Sequence, residues 1–192
     1  ETTGLLRSNE AETMALLKKA YDANIQVCFH AIGDEGNKLV LDWMGKTFAD
    51  AGVNGGDKRW RIEHSQILHV EDIARFKALG VIPSMQPSHA IGDLYFAPAR
   101  LGPDRLAGAY AWRALIDAGA IIAGGSDAPV EQGDPRIEFY AAVARRDLQG
   151  NSGLGWHPEQ AVTREEALKM FTIWPAYASF READLGTIEK GK

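Results

Sequence analysis

What most constrains the fold of this chain is a repeated alternation of short apolar runs with longer stretches of helical periodicity. The apolar runs end at His30, His64, Gln86 and Gly124, spacings of 34, 22 and 38 residues. That is the pace of β-strand and α-helix units. With no hairpin signal between the runs, it predicts parallel strands joined by crossover helices. Four such units are half of what a closed eight-stranded barrel needs. The pattern alone therefore leaves two architectures open, a small open sheet or a piece of a barrel.

The strands read as Ile25–His30, Trp60–His64, Val81–Gln86 and Ala120–Gly124, the last running into Gly125-Ser126-Asp127. Pro83 is unwelcome in a central strand because it has no N–H for the ladder. Between the strands, Leu39, Val40, Trp43, Met44 and Phe48 recur at three- and four-residue steps and predict a helix over 37–51. Further helices are predicted over 70–79, stopped by Gly80, and over 104–118, 135–148 and 164–171. Ser8-Asn9 with Glu12 has the form of a capping box opening a helix to about Ala23. Trp43, Trp112 and Trp174 fall in helical patterns and read as core.

Composition removes some function classes. A net charge of −5 gives no electrostatic reason to expect nucleic acid or an anionic membrane as partner. No apolar stretch approaches the length of a membrane span. Cys28 is the only cysteine, so one chain can form neither an internal disulfide nor a thiolate zinc cluster. The cytoplasm is the expected compartment.

In parallel α/β folds, functional side chains gather at the C-terminal ends of the strands. His30, His64 and Asp127 share that rim, and imidazole with carboxylate is a good donor set for zinc and similar divalent ions. Each also has a plainer reading, the histidines as hydrogen-bonded structural residues and Asp127 as a turn or cap residue. His89, just past the third strand, either contacts substrate or is a solvated loop residue. His69 and His157 read as structural or solvated. Asp34 and Glu63 adjoin the two strand-end histidines and are candidate outer-shell partners. Ser126, beside Asp127, orders into no Ser-His-Asp arrangement, and Gly124-Gly125-Ser126 is too short for a phosphate-binding fingerprint.

Several motifs in order give the chain a family resemblance. They are Phe29-His-Ala-Ile-Gly-Asp34, Arg61-Ile-Glu-His-Ser65, Pro83-Ser-Met-Gln-Pro87, Leu101-Gly-Pro-Asp-Arg105, Gly125-Ser-Asp-Ala-Pro-Val130 and Ala167-Leu-Lys-Met-Phe-Thr-Ile-Trp-Pro-Ala176. In these the sequence resembles amidohydrolase family 3, the group that includes N-substituted formamide deformylases. The final Leu185-Gly-Thr-Ile-Glu-Lys-Gly-Lys192 resembles the hinge by which such chains leave the barrel for a small β-sandwich.

The resemblance implies an α/β fold, a partial (β/α) barrel in which residues 1–192 form one domain, the C-terminal half. It implies that His30 and His64 are metal ligands on barrel strands five and six. Asp127 becomes the strand-eight aspartate, a metal ligand that takes a proton from the attacking water and passes it to the leaving nitrogen. His89 becomes a substrate contact. The expected activity is metal-dependent hydrolysis of amide-like, non-peptide C–N bonds in a small-molecule substrate, with zinc the expected ion and one or two ions in the longer parent. The His-x-His pair that such barrels carry on strand one occurs nowhere in the 192 residues. The chain thus reads as a fragment supplying part of a site. The alternatives are a non-catalytic half-barrel or a small α/β binding domain. Open strand edges and an apolar inner face predict that it self-associates as a homo-oligomer.

Overall fold

A computed structural model describes residues 8–192. Four short strands lie side by side in chain order, all parallel: β1 (Cys28–Ala31), β2 (Arg61–His64), β3 (Ile82–Met85) and β4 (Ala123–Gly124). Among the described residues ten α-helices accompany them. Those up to the last strand are α1 (Glu10–Asp22), α2 (Asp34–Asp50), α3 (Ile73–Leu79), α4 (Pro87–Asp93), α5 (Ala97–Leu101), α6 (Pro103–Leu106) and α7 (Trp112–Asp117). After it come α8 (Pro135–Ala144), α9 (Arg164–Met170) and α10 (Ile173–Ala178). This is the parallel α/β arrangement expected from the alternation, and it fits the partial barrel that the resemblance implies. Among the described residues no helix is long and apolar enough to cross a membrane.

The core lies between the sheet and the helices. Ile62 and Met85 point out of the sheet into a cluster holding Leu41, Met44, Phe48, Trp60, Phe76, Trp112 and Leu115, all essentially without solvent exposure. The Phe48 and Trp60 rings meet at 4.9 Å, and the Trp60 indole donates to the Ile25 carbonyl. Trp43 and Trp112 are buried as expected, and Trp174 packs at the edge of the same cluster.

Alternation along the strands sends the other side chains to the opposite face, the inside of the half-barrel. Register places Cys28 beside Arg61, His30 beside Glu63, and Glu63 beside Ser84. The inner face is therefore largely polar, with Arg61 and Glu63 paired at 2.9 Å. This corrects the expectation of an apolar inner face. Among the described residues Ile82 and Ala123, with Ile121 beside them, make an apolar patch that packs against Tyr177 and Ala178 of α10. The expectation of self-association is left resting on the free edges of β1 and β4.

Several boundaries differ for local reasons. Asn9 alone caps α1, its side chain accepting from the Glu12 amide. Pairing of β3 with β4 starts only at Ser84, one residue past Pro83, which is how a proline sits in a central strand and why β4 is so short. The single helix expected over 104–118 is two, because the segment between α6 and α7 bonds to the loop after β2 instead. Leu68 donates to the Gly108 carbonyl, Tyr110 donates to the Gln66 carbonyl, and Ile67 and Ala109 form an antiparallel bridge. α8 stops at Arg145, whose left-handed backbone ends the helix and turns its side chain inward.

One ion pair joins α7 to α9 and gives the fold an acid limit. Glu166 closes a capping box with Thr163 and pairs with Arg113 at 2.5 Å. That guanidinium, with the Thr163 hydrogen bonds, outweighs partial burial and holds the Glu166 carboxyl at about 2, below its usual 4.5. The folded state then binds fewer protons than the unfolded one. Its stabilisation is complete above about pH 4.5 and fades as the pH falls toward 2. Glu166→Gln is expected to cost about 1–2 kcal/mol at neutral pH. Urea melts across the acid range should also show a flatter stability curve for the variant than for the parent.

Candidate functional site

The C-terminal ends of the strands bring three imidazoles into a row. His30 reaches the rim from β1, His64 ends β2, and His89 stands on α4 directly after β3. The His30 and His64 rings meet edge to face with centroids 4.4 Å apart. His89 stacks on the other side of His64 at 5.8 Å with an interplanar angle of 18°.

His64 reaches this position through its backbone. Glu63 shares the inner face with His30, so in a regular strand the next side chain would turn toward the helices with Ile62. Instead His64 has φ +80 and Ser65 φ +46. Two successive residues in the left-handed region are uncommon for side chains of this kind and are met at sites where a side chain must be re-aimed. The turn is pinned by Ser65, whose amide donates to the Ala31 carbonyl at 3.0 Å and whose hydroxyl donates to the Ile62 carbonyl at 3.1 Å.

Gln86 settles the state of the buried His64 ring. Its side-chain nitrogen donates to the Ser84 carbonyl at 3.3 Å, which leaves its oxygen facing His64 Nδ1 at 3.0 Å. A carbonyl oxygen only accepts, so Nδ1 carries a proton, and in the neutral ring the lone pair is then on Nε2. His30 keeps its lone pair for a different reason. Partial desolvation, followed by the neighbouring His64 ring, lowers its pKa against the opposing pull of Asp127 and Glu63, so it is neutral at neutral pH.

Asp127 lies in the loop after β4, exposed and with φ +57. It follows the end of β4 by three residues, at the same end of the sheet as His30, and its charge opposes the lowering of the His30 pKa. Among the described residues, however, no three His, Cys, Asp or Glu side chains converge as a metal cage. The structure thus joins His30 to His64 and sets Asp127 nearby without closing the three into one cluster. His89 has its Nε2 buried with no hydrogen-bond partner, 3.8 Å from the Glu131 carboxylate.

The other singled-out residues lie elsewhere. Asp34 accepts a two-point contact from Arg105, and Glu63 pairs with Arg61, so neither is bonded to a strand-end histidine. His69 precedes a short 3₁₀ turn, and His157 bonds Glu159 beside Trp156.

Sequence reasoning missed the residues that hold the rim in place. Gln86 was visible only as a strand end. Asn37, fully buried on α2, places its side-chain nitrogen within 3.3 Å of the carbonyls of Ala31, Ile32, Gly33 and Ile67. It thereby ties the turn after His30 to the loop after His64. Glu138 of α8, also buried, accepts from the Ser88 amide at 2.9 Å and so anchors the start of the helix that carries His89. Burial raises the Glu138 pKa, with the Ser88 hydrogen bonds opposing. An amide or carboxylate falling within an apolar stripe was the only sequence signal available for either residue.

The pattern of the amidohydrolase family matches residues 3–192. YtcJ of Bacillus subtilis (strain 168), an amidohydrolase by name, is 31% identical over 191 residues, 99% of this chain and 35% of YtcJ. The N-substituted formamide deformylase of Arthrobacter pascens is 30% identical over 96% of this chain and 33% of its own length. The crystal structure of an uncharacterized metal-dependent hydrolase from Pyrococcus horikoshii OT3 superposes with a TM-score of 0.83 at 30% identity, covering 100% of this chain and 37% of that one. The chain spans about a third of the length of the relatives it matches.

Proposed function

This chain belongs to the amidohydrolase family, and from that premise we propose that it supplies part of the divalent-metal site of a hydrolase acting on amide-like C–N bonds. His30 and His64 are the metal-binding imidazoles, Asp127 is the carboxylate that moves protons, and His89 contacts substrate. Zinc is the ion this nitrogen and oxygen donor set suits best. The observation that carries the reading is the His30–His64 pair at 4.4 Å, with His64 Nδ1 committed to Gln86 and its Nε2 free.

The donor set fits a divalent cation as an open half-site: two imidazoles on the rim and a nearby carboxylate. Bound there, such an ion would lower the pKa of water toward about 7 and polarise a carbonyl. The chain's own residues do the rest. Gln86 fixes the His64 tautomer and ring direction. Asp127, exposed on the rim, accepts a proton from water and returns it to the leaving nitrogen. Asn37 and Glu138 hold the turns on which His30 and His89 stand.

Elemental analysis after zinc loading and desalting tests this reading. The parent chain is expected to retain close to one zinc, and His30→Ala to retain little. Asp127→Asn, which keeps an oxygen donor but loses the charge, should fall between them. A parent chain with no metal above background, or metal retained equally by all variants, would overturn the assignment.

A further inference from the structure

A groove of about 350 Å³ runs between α4 and α8 beside the histidine row. α4 supplies Ile91 and Gly92, the turn after it supplies Tyr95, and α8 supplies Ile137 and Tyr140. Its inner end is Glu131, whose carboxylate lies 3.8 Å from His89 Nε2. The volume suits a small organic group, and the apolar walls are interrupted by Ser88, Glu131, Gln132, Arg146, Asp147 and Gln149.

Two features point to an occupant. Gly92 sits in the last turn of α4, and a Cβ built there meets no atom within 4 Å. No packing in the chain requires the glycine, and what its missing side chain preserves is the open groove. The second feature is Arg146 in the groove wall. Its Nε is buried with no hydrogen-bond partner, and among the described residues its guanidinium has no ion pair. Of the carboxylates in the lining, Asp147 is already engaged by Tyr95 and Asn151, while Glu131 stands at the far end, 3.8 Å from His89 Nε2. A buried guanidinium edge without a partner is costly, and a planar carboxylate is the group its fork geometry matches.

We propose that this groove binds a substrate substituent that combines an apolar body, such as an aromatic ring, with a carboxylate held by Arg146. The proposal rests on the hydrolase reading above and adds the substrate class: an amide that places its C–N bond at the histidine row and its acidic, apolar substituent between α4 and α8. The apolar body lies against Ile91, Ile137 and the two tyrosines. Gly92 leaves the width that an aromatic ring needs.

Phenylacetate is the probe, with its neutral isostere phenylacetamide as comparison, each titrated into the full chain by ligand-observed NMR. Phenylacetate is expected to bind with a Kd on the order of millimolar, as ten heavy atoms allow, and phenylacetamide about tenfold more weakly. Arg146→Gln should bring phenylacetate down to the level of the amide. Gly92→Leu, which fills the groove where nothing crowds it, should abolish binding of both while leaving the circular dichroism spectrum unchanged. Equal binding of acid and amide, binding unaffected by Gly92→Leu, or no binding at all would overturn the proposal. Zinc content of the same samples separates it from the hydrolase reading. Zinc retained without phenylacetate binding removes the groove assignment alone, and phenylacetate binding without zinc removes the metal site alone.

Discussion

Gln86→Leu is expected to weaken zinc binding by about 10- to 100-fold, and His64→Ala by at least as much. The two variants act on one ring in different ways. His64→Ala deletes the donor. Gln86→Leu keeps it but removes the oxygen 3.0 Å from Nδ1 that fixes which nitrogen carries the proton and where the ring points. Without that acceptor, the imidazole can place its proton on Nε2 and offer the wrong nitrogen to the rim. Gln86→Glu makes the argument two-sided. A carboxylate accepts from Nδ1–H at least as well as an amide and increases the donor strength of Nε2, so this variant should hold or gain affinity. Competition titration against a chelator of known zinc affinity reads all three. If Gln86→Leu binds zinc as the parent does, the side chain only packs, and the orientation of His64 has another source.

The strand-end histidines were legible in sequence because a parallel sheet turns chain position into spatial position. An apolar run that ends in His says that the imidazole lies on the rim, wherever its partners are in the chain. The polarity of the inner face was legible too, in Cys28, His30, Arg61 and Glu63 at alternate strand positions, but the expectation of an apolar interior gave that period too little weight. Left-handed backbone at His64 and Ser65 was not legible, since neither residue type demands it; the ladder to Ala31 and the bond to Ile62 impose it. The same limit applies to Gln86, Asn37 and Glu138. Their roles are contacts across 22, 30 and 50 residues of chain, and no local pattern encodes a partner at such a distance. The split of the helix expected over 104–118 belongs with these, because its cause is a loop some 40 residues away.

A line of support runs from that split helix toward the site. The loop after β2 bonds to the segment between α6 and α7, and Gln66 of that loop reaches both Tyr110 and Asp93, the last residue of α4. The Tyr110 carbonyl in turn accepts from Arg145, whose guanidinium is buried against the Trp112 ring at 4.2 Å. Burial pushes the Arg145 pKa down to about 9, which still leaves it charged at neutral pH. The helix carrying His89 is therefore held at its start by Glu138 and at its end by this network.

Gly108→Ala is accordingly expected to be among the most damaging small substitutions in the chain, costing about 3 kcal/mol or more. A Cβ at this position would lie 1.7 Å from the Leu68 carbonyl oxygen and 2.8 Å from its carbon. Both are backbone atoms, so no flexible side chain can give way. Relief requires moving the strand-like bridge, which breaks the bonds from Leu68 to Gly108 and from Tyr110 to Gln66 in a fully buried region. Gly92→Ala is the matched control. The same methyl group enters a helix with nothing within 4 Å, so it should be neutral or stabilise by about 0.5–1 kcal/mol. Urea denaturation of the two variants beside the parent measures the difference directly. A Gly108→Ala protein as stable as the parent would mean that the bridge yields easily and cannot be what fixes the end of α4. A large loss confined to Gly108 would show that the rim is held by backbone contact between distant loops, with the histidine row standing on it.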